Sequence, residues 1–554
     1  MHEWLHKIDQ HFPVRYTVWL ASGIGLLLSS FTWVAFGVGA PVALLCLFLV
    51  ILGWRDTHQR RHSVLRNYPV IGHFRFLAEF VRIEIRQYFI ESDSEATPFS
   101  RMQRSLIYQR AKGASDKRPF GTQLDVQASG YEWINHSIAP TTLASHDFRI
   151  LIGGGGTSCT QPYSASVFNI SAMSFGALSA NAILALNGGA KKGGFAHDTG
   201  EGSISVHHRV HGGDLIWEIG SGYFGCRNAD GSFNEARFVA NATDPQVKMI
   251  ELKLSQGAKP GHGGVLPASK VTVEIAAARG VPVGIDCISP ASHGAFKTPR
   301  EMMQFIERLR QLSGGKPTGF KLCIGHPWEW FAICKAMLDT GILPDFIVVD
   351  GAEGGTGAAP LEFTDHVGAP LQEGLLLVHN TLMGLNLRSR IRIGCAGKVV
   401  SAFDIVRARA LGADWCNAAR GFMFALGCLQ AQTCHTGHCP TGVTTQDPVR
   451  QRALVVPDKM ERVWRFHENT LHALKELVQA AGLDHPDQIT AWHIVRRVAD
   501  ADVRLLANQV AFIKPGALIE AMAGRGEWPH NVYKLYWPLA RSDSFKAATE
   551  QLAA

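Results

Sequence analysis

The apolar positions of this chain follow two patterns. No charged side chain occurs between Thr17 and Gly53, and this run exceeds the roughly 20 residues that cross ~30 Å of hydrocarbon. From about Ser166 onward, short β-branched runs alternate with segments of helical periodicity. Such alternation is typical of parallel βαβ units. The pattern therefore predicts an apolar N-terminal segment followed by an α/β domain.

The apolar run is long enough for two membrane spans. The segment 37–41, Gly-Val-Gly-Ala-Pro, divides it and predicts a tight turn. Basic residues flank both ends, including Arg15 and Arg55, which favours a hairpin with both ends in the cytoplasm. The sequence thus predicts an inner (cytoplasmic) membrane protein whose catalytic domain faces the cytoplasm. One span, a buried core helix or a signal peptide are the alternatives, but a signal peptide's apolar region runs only ~7–15 residues.

The second pattern predicts a (β/α)8 TIM barrel, which joins the transmembrane hairpin through a mostly helical N-terminal extension. The predicted strands are 167–173, 281–289, 318–325, 345–351, 390–397 and 414–420. The predicted helices begin at Ser179, Pro299, Pro327 and Ser401. A doubly wound open sheet is the competing fold, but no GxGxxG motif joins a strand to a helix. The predicted domains are 1–56 (anchor), 57–150 (extension), 151–508 (barrel) and 509–554 (C-terminal extension).

Composition narrows the function classes. Hydrophobic residues make up 46% of the chain, which is too low for a polytopic transporter. The net charge of +7 is spread along the chain without a basic block, so no nucleic-acid partner is expected. Most of the 11 cysteines stand singly in apolar runs, as reduced core cysteines do.

Three cysteines do cluster. Cys428, Cys434 and Cys439 have the spacing C-x5-C-x4-C, and Pro440 follows the last of them. Three thiolates on a compact loop that ends in proline favour an iron–sulfur cluster, and three rather than four point to a three-iron cluster. A zinc site with His435 or His438 as the fourth ligand stays open, as do unligated core cysteines.

Loops rich in small residues follow several predicted strands. The loop 350–358, DGAEGGTGA, lets backbone N–H groups face a flavin ring or a phosphate, although such glycines also serve in plain turns. In barrels the loops after the seventh and eighth strands commonly bind phosphate. The segments 394–397 and 417–420 fit that use, and Arg420 would add a bidentate cation. A surface arginine at a helix start is the alternative.

Isolated polar side chains mark further candidates. Lys321 lies in an otherwise apolar strand, where it must contact a ligand or pay a desolvation cost. Lys259 lies in the loop GAKPGHGG, which can direct its ammonium at a carboxylate; a solvated loop lysine is the alternative. His207, His208 and His211 form HHxxH without a nearby acidic ligand, a pattern more often found in surface or hydrogen-bonded histidines.

The ordered motifs carry a resemblance. The segment from about Phe168 to Val443 resembles the FMN-binding synthase domain of glutamate synthases. The whole chain resembles the stand-alone, membrane-anchored FMN-binding glutamate synthase family. The matching motifs are SAMSFGALS (171–179), DTGEGSIS (198–205), SGYFG (221–225), QGAKPGHGG (256–264), GAEGGTGAAP (351–360) and GC-x5-C-x4-CPTGV (427–443).

The resemblance implies FMN, a [3Fe–4S] cluster held by the three cysteines, and reductive amination of 2-oxoglutarate with ammonia. It implies Glu201 and Lys321 as catalytic residues, and Lys259 and Arg279 as the cations that bind the oxo acid. The implied FMN-binding residues are Ala172, Met173, Ser174, Lys321, Gly354, Gly355, Thr356, Ala396, Gly397, Ala419 and Arg420.

Two departures from the family pattern concern the substrate. His262 stands where the family has an acid, and Val265 stands where it has an amide that faces the oxo acid. Losing one such hydrogen-bond partner typically costs ~1–3 kcal/mol, so a related oxo acid is the alternative to 2-oxoglutarate. We expect no glutaminase domain and no pyridine-nucleotide domain of the kind found in larger relatives. We therefore expect ammonia and electrons from outside, the electrons from a ferredoxin or another redox partner. A membrane-bound electron-transfer or regulatory flavoprotein is the rival interpretation.

Overall fold

Eight parallel strands close into a barrel in the computed structural model, which describes residues 14–80, 98–432 and 434–548. Pairing of the eighth strand with the first completes the ring. The predicted (β/α)8 barrel is thereby confirmed. In chain order the strands are β1 (Phe168–Ile170), β2 (His197–Asp198), β3 (Leu215–Ile219), β4 (Val247–Lys253), β5 (Thr318–Leu322), β6 (Phe346–Asp350), β7 (Arg392–Ala396) and β8 (Trp415–Ala418).

Helices follow the strands around the barrel. Side-chain hydrogen bonds cap the first turns of several predicted helices. Ser179 accepts from the backbone N–H of Ala182, and Thr298 forms a capping box with Glu301. The helices are Ala180–Gly193, Val206–Arg209, Glu235–Ala242, Val273–Arg279, Pro299–Leu312, Pro327–Thr340, Leu361–His366, Leu371–Gly384, Ala402–Ala410 and Arg420–Leu426.

One predicted barrel strand was wrong and three strands were missed. In the segment 281–289, only Cys287–Ile288 is a strand, and it pairs antiparallel with Val265–Leu266 outside the barrel. The segment's apolar residues are largely exposed, Ile285 by 58%, so its β-branched composition does not reflect a buried strand. The missed strands are β2, which has two residues, and β3 and β4, whose apolar runs are interrupted by charged residues.

The N-terminal apolar run forms two helices, Thr17–Phe36 and Ala40–His58. They pack against each other, and the indole N–H of Trp19 donates to the carbonyl of Val50 (3.0 Å). Gly37 and Gly39 turn the chain with φ of 68° and 112°. Both helices are long and apolar enough to cross a membrane, and most of their apolar side chains are exposed.

The remaining elements surround the barrel. A three-stranded antiparallel sheet joins Glu132–Ile134 to Ile494–Ala499 and Asp502–Leu505, and Arg149–Ile152 pairs with Tyr163–Ser166. The other helices are Ser63–Asn67, Gly72–Phe80, Arg101–Lys112, Pro448–Gln451, Val456–Ala480, Leu506–Gln509, Ala517–Met522 and Asn531–Tyr536, with 3-10 turns at Val14–Tyr16, Ala268–Lys270 and Pro486–Gln488.

Candidate functional site

A cavity of about 1300 Å³ lies at the carboxyl ends of the barrel strands, where (β/α)8 barrels place their active sites. Every site residue named from the sequence lines this one cavity. They are Ala172, Met173, Ser174, Glu201, Lys259, Arg279, Lys321, Gly354, Gly355, Thr356, Ala396, Gly397, Ala419, Arg420, Cys428, Cys434 and Cys439. The fold therefore gathers residues that lie up to 267 positions apart in the sequence.

The ends of the seventh and eighth strands form one wall of the cavity. Ala396 and Gly397 follow β7, and Ala419 and Arg420 follow β8, so small side chains leave the backbone accessible. The guanidinium of Arg420 donates to the carbonyl of Gly355 (3.0 Å). This bond ties the β8 end to the loop after β6 and holds a cation at the position expected for a phosphate contact.

The glycine-rich loop after β6 packs closely on the loop after β4. A Cβ atom added at Gly257 would lie 1.8 Å from the carbonyl oxygen of Gly351, so only glycine allows this contact. The backbone N–H of Gly257 also donates to the carboxylate of Asp350 (2.9 Å). The two loops thus form a continuous surface at the bottom of the cavity, next to the residues predicted to bind FMN.

The three clustered cysteines also line the cavity, next to Arg420. Cys428 and Cys439 are buried, and Cys434 is half-buried, with its sulfur 3.9 Å from a guanidinium nitrogen of Arg420. Burial raises the pKa of Cys428 to about 11. Burial acts on Cys439 in the same direction, but hydrogen bonds from Thr441 and Thr444 outweigh it and lower the pKa of that thiol.

The three thiols do not all lie within 4.8 Å of one another. Among residues 14–80, 98–432 and 434–548, the group of potential ligands gathered within 4.8 Å of one another is Asp198, Glu218 and Glu251, not the three cysteines. Zn–S bonds of ~2.3 Å in a tetrahedron would hold thiolates roughly 4 Å apart. At least one pair of these thiols is thus more than 4.8 Å apart.

The N-terminal extension packs against the cysteine loop, the segment 428–440 that carries the three clustered cysteines. The hydroxyl of Tyr108 donates to the carbonyl of Cys428 (2.6 Å), and the side-chain amide of Asn67 donates to the carbonyl of Pro440 (3.3 Å). Asp56, at the end of the second apolar helix, accepts from the backbone of Val70 (2.9 Å) and pairs with His73 (2.8 Å). The apolar hairpin is therefore connected to the cysteine loop through a short chain of contacts.

The carboxylate of Glu201 lies against glycines, which have no side chain to collide with it. Its Oε2 lies 3.2 Å from the ammonium of Lys253, and a Cβ at Gly264 would lie 2.5 Å from its Oε1. Burial opposes ionisation of Glu201, but Lys253, Arg279 and Lys259 outweigh it and lower the pKa. Glu201 is thus an ionised carboxylate at neutral pH, suited to accept a proton.

The two predicted substrate cations are both 4% exposed and both contact the protein backbone. Lys259 donates to the carbonyl of Gly263 (2.8 Å), and burial lowers its pKa. Arg279 donates to the carbonyl of Phe175 (3.1 Å) and lies over the ring of Phe224 (5.2 Å). Each cation can therefore exchange a backbone contact for a substrate carboxylate.

The two departures from the family pattern lie on the same wall. Val265 is 38% exposed and lines the cavity with an apolar side chain. The Nδ1 atom of His262 lies 2.7 Å from the carbonyl of Gly263, and its ring meets Phe363 edge-on. Neither side chain supplies a carboxylate or an amide to the cavity.

Lys321 is part of a buried ionic cluster that the sequence analysis missed. Its ammonium pairs with Glu218 and lies 3.3 Å from Glu251. Burial alone would lower the pKa of Lys321, but the carboxylates of Glu218, Glu251 and Asp198 raise it. Burial and the neighbouring Glu218 raise the pKa of Asp198 to about 7, and burial raises that of Glu251.

A signal for this cluster was present in the sequence. Glu218 interrupts the apolar run LIWEI, and Glu251 interrupts MIEL, just as Lys321 interrupts GFKLCIG. The criterion that singled out the lysine applies to both carboxylates. The HHxxH histidines lie elsewhere: His207 pairs with Glu274 (3.1 Å), and Nδ1 of His208 contacts the hydroxyl of Ser205 (2.8 Å).

Comparison with known proteins agrees with this geometry. Residues 157–484 match the family model described as "Conserved region in glutamate synthase". The "Glutamate synthase large subunit-like protein YerD" of Bacillus subtilis (strain 168) is 36% identical over 513 residues, which cover 85% of this chain and 97% of that protein. The "Archaeal glutamate synthase (NADPH)" of Methanocaldococcus jannaschii is 36% identical over 316 residues, 57% of this chain and 59% of that protein.

A solved structure of the flavin-binding domain of baker's yeast flavocytochrome b2 aligns with a TM-score of 0.39 and 12% identity, over 76% of this chain and 83% of that one. This likeness is coarse, and the assignment depends on the sequence matches. The closed barrel and the sequence matches together define a (β/α)8-barrel oxidoreductase. Since the family model matches more than half of its residues, the chain belongs to the glutamate synthase family.

Proposed function

We propose that the protein is an FMN- and iron–sulfur-dependent oxidoreductase that acts on the CH–NH2 group of an amino acid. Its reaction is the reductive amination of 2-oxoglutarate or a related oxo acid with ammonia and external electrons. The observation that carries the proposal is that one cavity is lined by the phosphate-side loops, Lys321, Glu201, both substrate cations and all three cysteines. Each component of the reaction thus has residues suited to it within the same space.

The residues present fit FMN. The loops after β6, β7 and β8 expose backbone through Gly355, Gly397 and Ala419, and Arg420 supplies a cation for the phosphate. Ala172, Met173 and Ser174 follow β1, which pairs with β8, and also line the cavity. Lys321 places a positive charge at the cavity floor. FMN bound there would supply hydride transfer to the imine carbon.

The chain's own residues account for substrate binding and proton handling. Lys259 and Arg279 bind the two carboxylates of an oxo acid and orient it. Glu201, kept ionised by Lys253, accepts a proton at its carboxylate while ammonia adds to the carbonyl carbon, and returns it to the hydroxyl, which leaves as water. Phe224 lines the cavity under Arg279 and excludes water from that ion pair.

Cys428, Cys434 and Cys439 would hold a [3Fe–4S] cluster. The sequence spacing C-x5-C-x4-C, with Pro440 after the last cysteine, favours an iron–sulfur cluster over zinc. Lys270 donates to the carbonyl of Cys434 (2.9 Å) and adds positive charge beside the thiolates. The cluster would pass electrons from a ferredoxin or another redox partner into the cavity.

The apolar hairpin serves as a membrane anchor in this proposal. The helices Thr17–Phe36 and Ala40–His58 have the length and composition of inner-membrane spans, with the barrel in the cytoplasm. The contacts from Asp56 through Asn67 to Pro440 support an arrangement in which the cysteine loop faces the lipid surface. Fractionation of the full chain tests this: recovery of the protein in the soluble fraction without detergent would contradict the anchor.

Spectra and rapid kinetics test the reaction. Purified protein should show flavin absorption bands and iron in a ratio of about three atoms per chain, as a three-iron cluster requires. Reduced protein mixed with 2-oxoglutarate and ammonium in a stopped-flow instrument should reoxidise faster than with either compound alone. A colourless protein, or no acceleration with any oxo acid, would contradict the proposal.

One observation favours a second candidate, a membrane-bound electron-transfer or regulatory flavoprotein. Val265 offers no hydrogen bond to a substrate, and Lys259 and Arg279 are both occupied by backbone carbonyls. Val265→Gln separates the candidates. An enzyme that uses a related oxo acid should gain 2-oxoglutarate turnover from this change, whereas a protein that has lost the reaction should gain none.

A further inference from the structure

Two carboxyl groups lie behind the cavity wall, beyond Lys321. Asp198 and Glu251 are each 1% exposed, and neither belongs to the cavity lining. Glu218 and Lys321 do line the cavity and separate the pair from it. The proposed reaction leaves Asp198 and Glu251 without a role.

The charges in this cluster do not balance when every group is ionised. Carboxylate oxygens of Asp198, Glu218 and Glu251 all lie within 4.8 Å of one another. Lys321 pairs with Glu218 and Glu251, and Lys253 lies 4.0 Å from Glu218. Lys253 is shared with Glu201, so the three carboxylates lack a full complement of ammonium groups, and burial at this spacing disfavours the ionisation of all three. The cluster therefore holds at least one proton at neutral pH.

The location of that proton follows from the hydrogen bonds. Glu218 makes the shorter contact with Lys321, whereas the Oε1 of Glu251 lies 3.3 Å from the same ammonium, and Asp198 accepts from the backbone N–H of Gly200 (3.0 Å). The proton belongs to the Asp198–Glu251 pair, in line with the raised pKa of both groups. The charged groups that face the pair from neighbouring strands and loops are Glu201, Glu218, Lys253, Lys321 and Asp350.

We propose that Asp198 and Glu251 form a proton store that couples electron arrival in the cavity to proton uptake. The inference rests on the proposed function, since it requires a redox group above Lys321. The external donor supplies the electrons, and each added negative charge raises the proton affinity of the pair. One proton from solvent then forms an O–H bond on a carboxylate of the pair and leaves again on reoxidation.

A path to solvent is present in the same set of residues. The Oε2 of Glu201 lines the cavity 3.2 Å from Lys253, and Lys253 lies 4.0 Å from the Oε1 of Glu218. The other oxygen of Glu218 contacts Lys321, which lies beside Glu251. Asp198 and Glu251 are thus positioning residues, which act on the cavity through the charge of Lys321 and Glu218.

Two measurements on the full chain test the store. Infrared spectroscopy of the oxidised protein at pH 6 should show the absorption of a buried protonated carboxyl, which Asp198→Asn with Glu251→Gln should remove. This measurement does not require flavin. Spectroelectrochemical titration of the bound flavin should then show a wild-type midpoint potential that falls more steeply with pH above about 7 than below it.

The comparison of Asp198→Asn with the wild type predicts the sign of the change in the midpoint potential of the flavin. Asparagine matches the protonated form of Asp198, so the Asp198→Asn potential should coincide with that of the wild type at low pH. Above pH 7 the ionised wild-type carboxylate opposes reduction, and the variant should be more easily reduced. Asp345→Asn is the control, because this buried carboxylate pairs with Arg310 at the opposite end of the barrel and should leave the pH profile unchanged.

The outcomes distinguish the two proposals. A protein that binds no flavin contradicts the proposed function, while the infrared band still reports on the store. A flavin-loaded protein whose potential has the same pH profile in wild type and Asp198→Asn overturns the coupling. An absent infrared band overturns the store itself.

Discussion

The two sides of the barrel mouth use different chemistry to shape one cavity. The ends of β2 to β5 contribute charged side chains, among them Glu218, Lys253 and Lys321, which form ion pairs and are at most 10% exposed. The ends of β7 and β8 contribute small residues such as Gly397 and Ala419, whose backbone faces the cavity.

This difference separates two tasks. Backbone and small side chains can grip a cofactor without titrating, so the β7–β8 side is suited to hold it at any pH. Paired charges in a buried site respond strongly to each proton and electron that arrives, so the β2–β5 side is suited to the chemical step. Substitutions on one side should therefore spare the property that depends on the other.

The largest effect is expected from a substitution in the cysteine loop, next to the β8 side, and it is a loss of bound iron. Cys434→Ala removes one of three proposed iron ligands, so iron should be lost from the purified protein while flavin stays bound. Iron analysis and the visible spectrum check this. Cys159→Ala, a buried cysteine outside the cavity lining, should keep its iron, and full iron content in Cys434→Ala would refute the ligand assignment.

Lys321→Met tests the charged side through stability. Removing the ammonium deprives Glu218 and Glu251 of their contact with Lys321, and breaking a buried pair in this way typically costs ~3–5 kcal/mol. Denaturant unfolding measures the loss. Lys192→Met, an exposed lysine paired with Glu461, should cost less than about 1 kcal/mol, and equal losses in both variants would contradict the buried cluster.

Glu201→Gln tests the same side through catalysis. If Glu201 handles a proton in the reaction, kcat should fall by roughly 10²–10⁴-fold, because glutamine keeps the shape but cannot accept a proton. Flavin and iron content should match the wild type. An active Glu201→Gln enzyme would show that the proton goes elsewhere, and Glu274→Gln, on an exposed carboxylate that pairs with His207, serves as the control.

Arg420→Ala should give the smallest effect, because it removes one charged contact among many backbone contacts. Loss of a charge-assisted hydrogen bond of ~1.5–3 kcal/mol should weaken FMN binding by roughly 10- to 100-fold. Equilibrium dialysis of the apoprotein measures the dissociation constant, and Arg420→Lys should retain part of the affinity. Unchanged FMN binding in Arg420→Ala would place the phosphate away from β8.

The sequence by itself determined the elements whose signals are local. The cysteine spacing, the glycine-rich loop after β6 and the caps at Ser179 and Ser401 each lie within a few residues, and backbone geometry follows from them directly. The motifs also showed which residues would share one cavity, because the strand ends of a (β/α)8 barrel meet at one face. The apolar run likewise showed its two helices.

Only the tertiary structure decided which charged residues face one another. Asp198 and Glu251 lie 53 positions apart and meet Lys321 because three strands converge, an encounter that no local pattern encodes. Local patterns likewise do not encode the contact of Asn67 with Pro440 or the position of the segment 281–289 outside the barrel. The physical reason is that the burial of a charge depends on partners from distant strands, whereas helix caps and turns depend on their immediate neighbours.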